Sequence, residues 1–183
     1  MFWQPKKDYF KYLTSFFLGK KLIVFLNYII WIFLFYISFL LVRYDYNNFW
    51  KLLIVTVLSE IIEKCLKKKN IWSRPVHKNK NEIPSGLMKT WYSNGSFPSG
   101  HTIKALFFFL FIIQYQVFSP ILYWLVVFPL LSIRVLVGFH YPIDVLGGAV
   151  IGIFLWYISL PIRLPPIFNN IIGKIFNLVF YGR

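Results

Sequence analysis

Apolar and charged positions alternate along the chain in blocks rather than residue by residue. Leu22–Val42 is an uncharged run of 21 residues, closed by Lys20 and Lys21 on one side and Arg43 on the other. At ~1.5 Å per residue such a helix covers the ~30 Å hydrocarbon layer of a bilayer, so a transmembrane span is predicted there. Ahead of it, Phe10, Leu13, Phe16 and Phe17 recur at helical spacing among Lys6, Lys7 and Lys11, the pattern of a helix lying in the membrane interface. Phe49–Leu66 reads as a second span that carries Lys51, Glu60, Glu63 and Lys64. Glu60–Lys64 and Glu63–Lys67 are i,i+4 pairs, neighbours on a helix surface. Charges in such a segment face a bundle interior or a polar cavity, or else this helix end projects into water; the pattern leaves both open.

Lys67–His101 is a polar, basic connection punctuated by Arg74-Pro75, Pro84, Gly86, Gly95 and Pro98. At more than thirty residues it is too long for a simple turn, which points to a functional segment. Thr102–Phe118 and Pro120–Phe139 read as two helices joined at Ser119-Pro120, with Pro129 bending the second. Pro142–Leu160 is a further span, with Pro142 suited to the first helical turn and Gly148 and Gly152 forming a small-xxx-small pair for close helix packing. Beyond the Pro161–Pro166 break, Phe168, Ile171, Ile172, Ile175, Phe176 and Val179 form an amphipathic stripe too short to span. The chain has no internal repeats.

Composition agrees with this pattern. Hydrophobic residues make up 58% of the 183 positions, aromatic residues 22% and charged residues only 14%, which leaves too little polar surface for a soluble protein. The same hydrophobicity excludes intrinsic disorder. The expected architecture is an all-α integral membrane protein, a single unit over residues 1–183. It would hold about five transmembrane helices in a bundle, with interfacial amphipathic helices at both termini. Met1–Leu18 does not read as a secretory signal, its apolar stretches being short and without a small-residue cleavage site. The lone Cys65 reads as a small apolar helix residue.

The charge changes the picture. Twenty Lys and Arg face six Asp and Glu, for a net charge of +14, and nine of the twenty lie between Lys64 and Lys104. Such an excess implies anionic partners: membrane lipid headgroups, a phosphorylated substrate or nucleic acid. Nucleic acid fits worst, because the basic residues flank apolar spans instead of forming a soluble basic face.

Three blocks beside predicted helix ends carry candidate chemistry. Lys67 and Arg74-Pro75 stand seven residues apart, a spacing that on a helix returns nearly to one face. Two such cations can hold a dianion, although Lys67, Lys68 and Lys69 also suit plain membrane flanking. Pro98-Ser99-Gly100-His101 precedes an apolar helix, whose first turn offers free N–H groups and the positive dipole end to an oxyanion. Ordinary capping by Ser99 is the alternative. Arg134, His140 and Asp144, followed by Gly147-Gly148, form the third block. With Pro142 at N1, Asp144 falls near N3, where its carboxylate can turn back to His140, fix the imidazole tautomer and leave Nε2 free as a nucleophile or base. A capping carboxylate and a snorkelling Arg134 would be the plain reading.

Together the blocks read Lys-x6-Arg-Pro, Pro-Ser-Gly-His and Arg-x5-His-x3-Asp, ten specified positions between Lys67 and Asp144. This resembles the tripartite signature of the type 2 phosphatidic acid phosphatase superfamily, which includes lipid phosphate phosphatases, glucose-6-phosphatase and vanadium haloperoxidases. One position departs: the family usually has Ser directly before the third-block Arg, whereas Ile133 stands here and Ser132 comes one residue early. The resemblance implies that Lys67, Arg74, Ser99, Gly100 and Arg134 hold the phosphoryl oxygens. It implies that His140 attacks phosphorus, oriented by Asp144, and that His101 protonates the leaving group and later activates water. No cofactor and no metal is expected, since no carboxylate cluster suits Mg²⁺. The function implied is a membrane lipid phosphatase acting on a lipid phosphate or diphosphate through a phosphohistidine.

A non-catalytic basic membrane protein or pseudoenzyme that binds anionic lipids is the alternative, although it retains His101, His140 and Asp144. A haloperoxidase would be soluble, and a transporter would show inverted repeats and interrupted spans, which are lacking here. Lys78, Lys80 and Lys89 suit either a polyanionic headgroup or general attraction to anionic lipid. No obligate protein partner is inferred. With five spans the motif loops share a side with the N-terminus, and the positive-inside rule would place both in the cytoplasm. The resemblance points instead to a bacterial cytoplasmic membrane with the site on its extracytoplasmic face.

Overall fold

A computed structural model describes residues 17–75, 95–136 and 138–182, with only the backbone of 17–24 and 27. The expected interfacial stripe before Phe17, and Lys78, Lys80 and Lys89, lie outside the described residues. Six helices account for the described regular structure: α1 (Phe17–Tyr44), α2 (Asn47–Lys68), α3 (Gly100–Tyr115), α4 (Pro120–Leu136), α5 (Pro142–Ser159) and α6 (Pro166–Tyr181). No strand occurs among the described residues.

The helices start and stop for local reasons. Asp45 Oδ1 accepts the Asn47 N–H at 2.9 Å and begins α2 after a two-residue turn. α3 starts two residues earlier than the pattern suggests and ends at Tyr115, three residues before the expected Phe118. There Gln116 adopts a left-handed conformation (φ 52°) and its N–H closes on the Ile112 carbonyl. α4 runs continuously through Pro129 but stops at Leu136, short of the expected Phe139. Gly138 turns the chain at φ 80°, so that the N–H groups of Phe139 and His140 both fold back on the Arg134 carbonyl.

α3 is the central helix. Ile103, Ala105, Phe107, Phe108, Phe111 and Ile112 are all buried, and they meet Ile30, Leu34, Ile37 and Leu41 of α1 and Tyr123 and Val127 of α4 in one core. The closest approach is between α3 and α5. A Cβ on Gly148 would stand 2.7 Å from the Ser99 carbonyl oxygen, and one on Gly152 2.7 Å from that of Ile103. The small-xxx-small pair therefore does what its spacing suggests.

α5 is long and apolar enough to cross a membrane; Tyr28–Tyr44, Gly100–Tyr115 and Pro120–Leu136 are apolar but shorter. Outward faces stay apolar, with Ile32, Phe35, Ile121, Leu125, Phe128 and Val150 all exposed. Lys51, inside an expected span, is buried with its Nζ 2.8 Å from the Tyr115 hydroxyl. In the C-terminal stripe only Ile172 and Phe176 pack inward, Phe176 stacking on Phe39 at 5.2 Å, while Phe168, Ile171, Ile175 and Val179 face outward. Asn47 ties the α5–α6 connection to α2, through Nδ2 to the Ile162 carbonyl and Oδ1 to the Leu164 N–H. Antiparallel passage of α2 to α5 brings the C-terminal ends of α2 and α4 and the N-terminal ends of α3 and α5 together.

Candidate active site

The long connection returns to its own start. Asn70 leaves α2 in the left-handed region (φ 44°), Gly95 packs against Asn70 and the Lys67 carbonyl, and the Ser96 N–H donates to the Trp72 carbonyl at 3.2 Å. Arg74 then reaches in from a non-helical segment, is buried, and donates from Nη1 to the Phe139 carbonyl at 3.2 Å. Lys67 and Arg74 therefore do not share a helix face. α2 ends at Lys68, and proximity comes from the turn at Asn70, not from helical periodicity.

His140 is buried in the connection between α4 and α5. Its Nδ1 lies 3.0 Å from the Ser96 carbonyl oxygen and 3.5 Å from Asp144 Oδ2. A carbonyl only accepts, so Nδ1 carries the proton and Nε2 keeps its lone pair. The tautomer expected from Asp144 is present, but the nearer anchor is a backbone oxygen. Burial pushes the His140 pKa down to about 4, with Asp144 opposing and the Arg74 and Arg134 charges reinforcing the shift. The ring is neutral at neutral pH.

Asp144 is fully buried at N3 of α5. Its Oδ2 accepts the Tyr141 N–H at 2.8 Å, the capping contact of the plain reading, nearer than the expected His140, and its Oδ1 accepts the Trp72 indole N–H at 2.9 Å. Its own carbonyl takes the Ser99 N–H at 3.0 Å, joining the starts of α3 and α5. Phe97 lies over Gly147, where a Cβ would overlap its ring, and Trp72 packs on Phe97 with centroids 5.2 Å apart.

At the start of α3 the Ser99 carbonyl caps the Thr102 and Ile103 N–H groups, while its hydroxyl accepts from Thr102 Oγ1 at 2.9 Å. The Ser99 side chain is thus not the helix cap. His101 is half-buried, with Nε2 2.8 Å from Arg134 Nη2 and its ring edge-on to Trp31 at 5.2 Å. Arginine can only donate, so this Nε2 is the acceptor. The charges of Arg134, Lys104 and Lys67 all reach His101.

Lys67 pairs with Glu63, as its i,i+4 spacing suggests. Glu60, by contrast, pairs with Lys104 at 2.7 Å rather than with Lys64, because Lys104 projects from α3 across the helix interface. Glu63 and Lys67 therefore face protein, while Lys64 and Lys68 are exposed. Ser132 lines an apolar crevice between α3, α4 and α5, beside Thr102, Leu131 and Pro142.

All eight candidate residues (Lys67, Arg74, Ser99, Gly100, His101, Arg134, His140 and Asp144) sit at this one end of the bundle. Trp72, Ser96, Lys104, Glu63 and Trp31 were missed as site neighbours. Only Glu63 carried a usable signal, its spacing from Lys67. Among the described residues no three His, Cys, Asp or Glu side chains gather as a metal-binding group would.

No curated protein and no solved structure matches the chain. The PAP2 superfamily pattern matches residues 48–165, well over half of it. That stretch runs from the start of α2 past the end of α5 and encloses all eight candidate residues, and on this match the chain belongs to the PAP2 superfamily, whose activity is of phosphatase type.

Proposed function

We propose that the protein is a multi-pass membrane lipid phosphatase that removes a phosphate from a lipid phosphate or diphosphate through a phosphohistidine on His140. The observation that carries this reading is the held imidazole. Nδ1–H is fixed by the Ser96 carbonyl and Asp144, beside the Arg74 and Arg134 guanidiniums and the N-terminal turn of α3. Phosphoryl transfer asks mainly for positioning and charge neutralisation, which these groups supply.

In the first step the Nε2 lone pair forms the N–P bond while the P–O bond to the leaving group breaks. The departing oxygen takes the bond pair and a proton from His101, whose Nε2 has taken that proton from solvent once Arg134 turns to the phosphoryl group. Asp144 then faces a ring that has become cationic. In the second step water gives a proton to His101 and bonds to phosphorus, and the N–P pair returns to Nε2 as phosphate leaves. Arg134 has a double part: leaving His101 Nε2 for a phosphoryl oxygen frees the nitrogen that must carry the proton. Ser99, Gly100, Lys67 and Arg74 complete the oxyanion cradle, and no metal is needed.

Lipid is favoured over a small phosphate ester by the apolar outer faces and by the crevice lined by Thr102, Leu106, Leu131, Val135 and Leu146. It runs beside the candidate site and offers a hydrocarbon chain a place next to the reacting headgroup. The site end faces the extracytoplasmic side in this reading, as the resemblance implies.

The test is purified protein in detergent against phosphatidic acid, phosphatidylglycerophosphate, undecaprenyl diphosphate and lipid A 1-phosphate, with EDTA present. At least one should release phosphate. With nitrophenyl phosphate, whose leaving group needs little protonation, His101→Ala should keep an initial burst and His140→Ala should lose it. Equal bursts from both variants, or activity that requires added Mg²⁺, would refute the mechanism.

A further inference from the structure

Glu63 stands where the phosphoryl group is expected. Its carboxylate binds the Lys67 ammonium and lies 3.5 Å from Lys104 Nζ. It also rests against Gly100, so closely that a Cβ on that glycine would overlap both carboxylate oxygens. Two of these three neighbours, Lys67 and Gly100, are positions assigned above to phosphoryl oxygens. The first turn of α3 favours an anion at this point, and Glu63 is that anion. Lys104 is only 3% exposed and held from its other side by Glu60, whose own side chain is 44% exposed.

We propose that Glu63 is a displaceable internal anion, which an incoming group must outcompete for Lys67 and the start of α3. The proposal rests on the reading of this end as a phosphoryl site and adds a charge threshold to it. The other cations are likewise engaged within the chain, Arg134 with His101 and Arg74 with the Phe139 carbonyl, so arrival of a phosphoryl group is an exchange of partners. A terminal phosphoryl group carries about −1.5 to −2 charge at neutral pH. A phosphodiester carries a single charge and gains nothing over a carboxylate already in place. Bulk bilayer phospholipids are diesters at vast excess, and a site on four helix ends at a membrane surface has to ignore them. Glu63 raises the affinity that any anion needs to occupy the site, a threshold that a single charge does not clear. Glu60 keeps Lys104 neutralised while Glu63 swings away, so the exchange leaves no buried ammonium unpaired.

The experiment is direct binding of methyl phosphate and of dimethyl phosphate at pH 8, by calorimetry on the full chain in detergent. Neither probe requires turnover. Glu63→Gln removes the charge at constant shape. Both probes should bind roughly tenfold or more tightly, because a charge-assisted hydrogen bond no longer has to be exchanged. Dimethyl phosphate should pass from no detectable binding in the wild type to measurable binding. Glu63→Ala, which removes the carboxylate without adding a donor, should shift both constants the same way. Glu60→Gln should tighten neither probe and should weaken both, since Lys104 would lose its remaining carboxylate when Glu63 leaves. Unchanged or weaker binding in both Glu63 variants would overturn the proposal and make Glu63 a positioning residue for Lys67. A chain that shows the tightening but hydrolyses none of the phosphorylated lipids would refute the phosphatase reading and leave this one standing.

Discussion

Replacing Gly148 by Ala should damage activity out of proportion to the size of one methyl group. Gly148 lies on α5 one turn after Asp144, and its Cβ would stand 2.7 Å from the Ser99 carbonyl oxygen and 3.0 Å from Thr102 Cβ. The carbonyl cannot swing aside, because it caps the Thr102 and Ile103 N–H groups at 3.1 Å. Ordinary contact needs ~3.4 Å or more, so α5 must move from α3 by roughly 0.7 Å at this point. The Ser99 N–H···O=C Asp144 bond, 3.0 Å long, joins the two helices beside the contact and would be stretched beyond hydrogen-bonding distance. Overpacking of this kind costs ~1–3 kcal/mol. A displacement approaching 1 Å between groups that must act together costs ~10²-fold in rate, and here it separates His101 on α3 from His140 and Asp144 at the start of α5. Opposing these terms, Ala is ~1 kcal/mol better than Gly within a helix. The sign of the stability change therefore reads out the contact. Thermal unfolding in detergent and single-turnover phosphate release read the two quantities separately, with Val150→Ala, at a position 66% exposed, as the control. A Gly148→Ala protein that is more stable than wild type and equally active would show that the starts of α3 and α5 are not packed as described.

Two further outcomes follow from the anchors of Asp144 and His140. Trp72→Phe keeps the packing on Phe97 but removes the indole donor to Asp144 Oδ1, so kcat should fall by roughly tenfold or more with KM nearly unchanged; a change confined to KM would contradict an orienting role. With a pKa held near 4 by burial, His140 is neutral above that value and should show one ring titration near 4, and none near 6.5, in imidazole NMR. Because its folded pKa is depressed, the unfolded chain binds the extra proton between about pH 6.5 and 4, and stability falls as pH drops through that window. His140 accounts for about 3 kcal/mol of that loss, which should be missing in His140→Gln.

The parts of the site readable in the amino-acid sequence were those that depend on a helix end. Pro142 at N1 places Asp144 at N3, and the carboxylate returns to the Tyr141 N–H as that geometry demands. Gly148 and Gly152 announced a close helix neighbour, and α3 is that neighbour. Unread were the contacts that depend on which element comes next to which. Trp72 and Ser96 sit in a connection whose two ends meet only in three dimensions, and neither a tryptophan nor a backbone carbonyl leaves a pattern along the chain. Lys104 looked like one more cation in a basic region until α2 and α3 set it against Glu60 and Glu63. Lys67 and Arg74 come near each other through the turn at Asn70 and not, as expected, through helical periodicity.

The physical reason for this division also explains why the cluster forms where it does. Helix ends are the places where backbone N–H and C=O groups lack partners within the helix. Here the Ser96 carbonyl, just before α3, holds His140, the Arg134 carbonyl near the end of α4 turns the chain toward it, and the Ser99 N–H ties α3 to α5. Each uses a backbone group that a longer helix would have consumed. Shortening α4 at Gly138 therefore does more than end a span: it supplies the backbone groups that aim the histidine. Extending α4 through Phe139, as the apolar pattern alone suggested, would carry His140 round the helix and away from Ser96. Gly138 is the residue that keeps the two apart, because its φ of 80° is strained for any side chain.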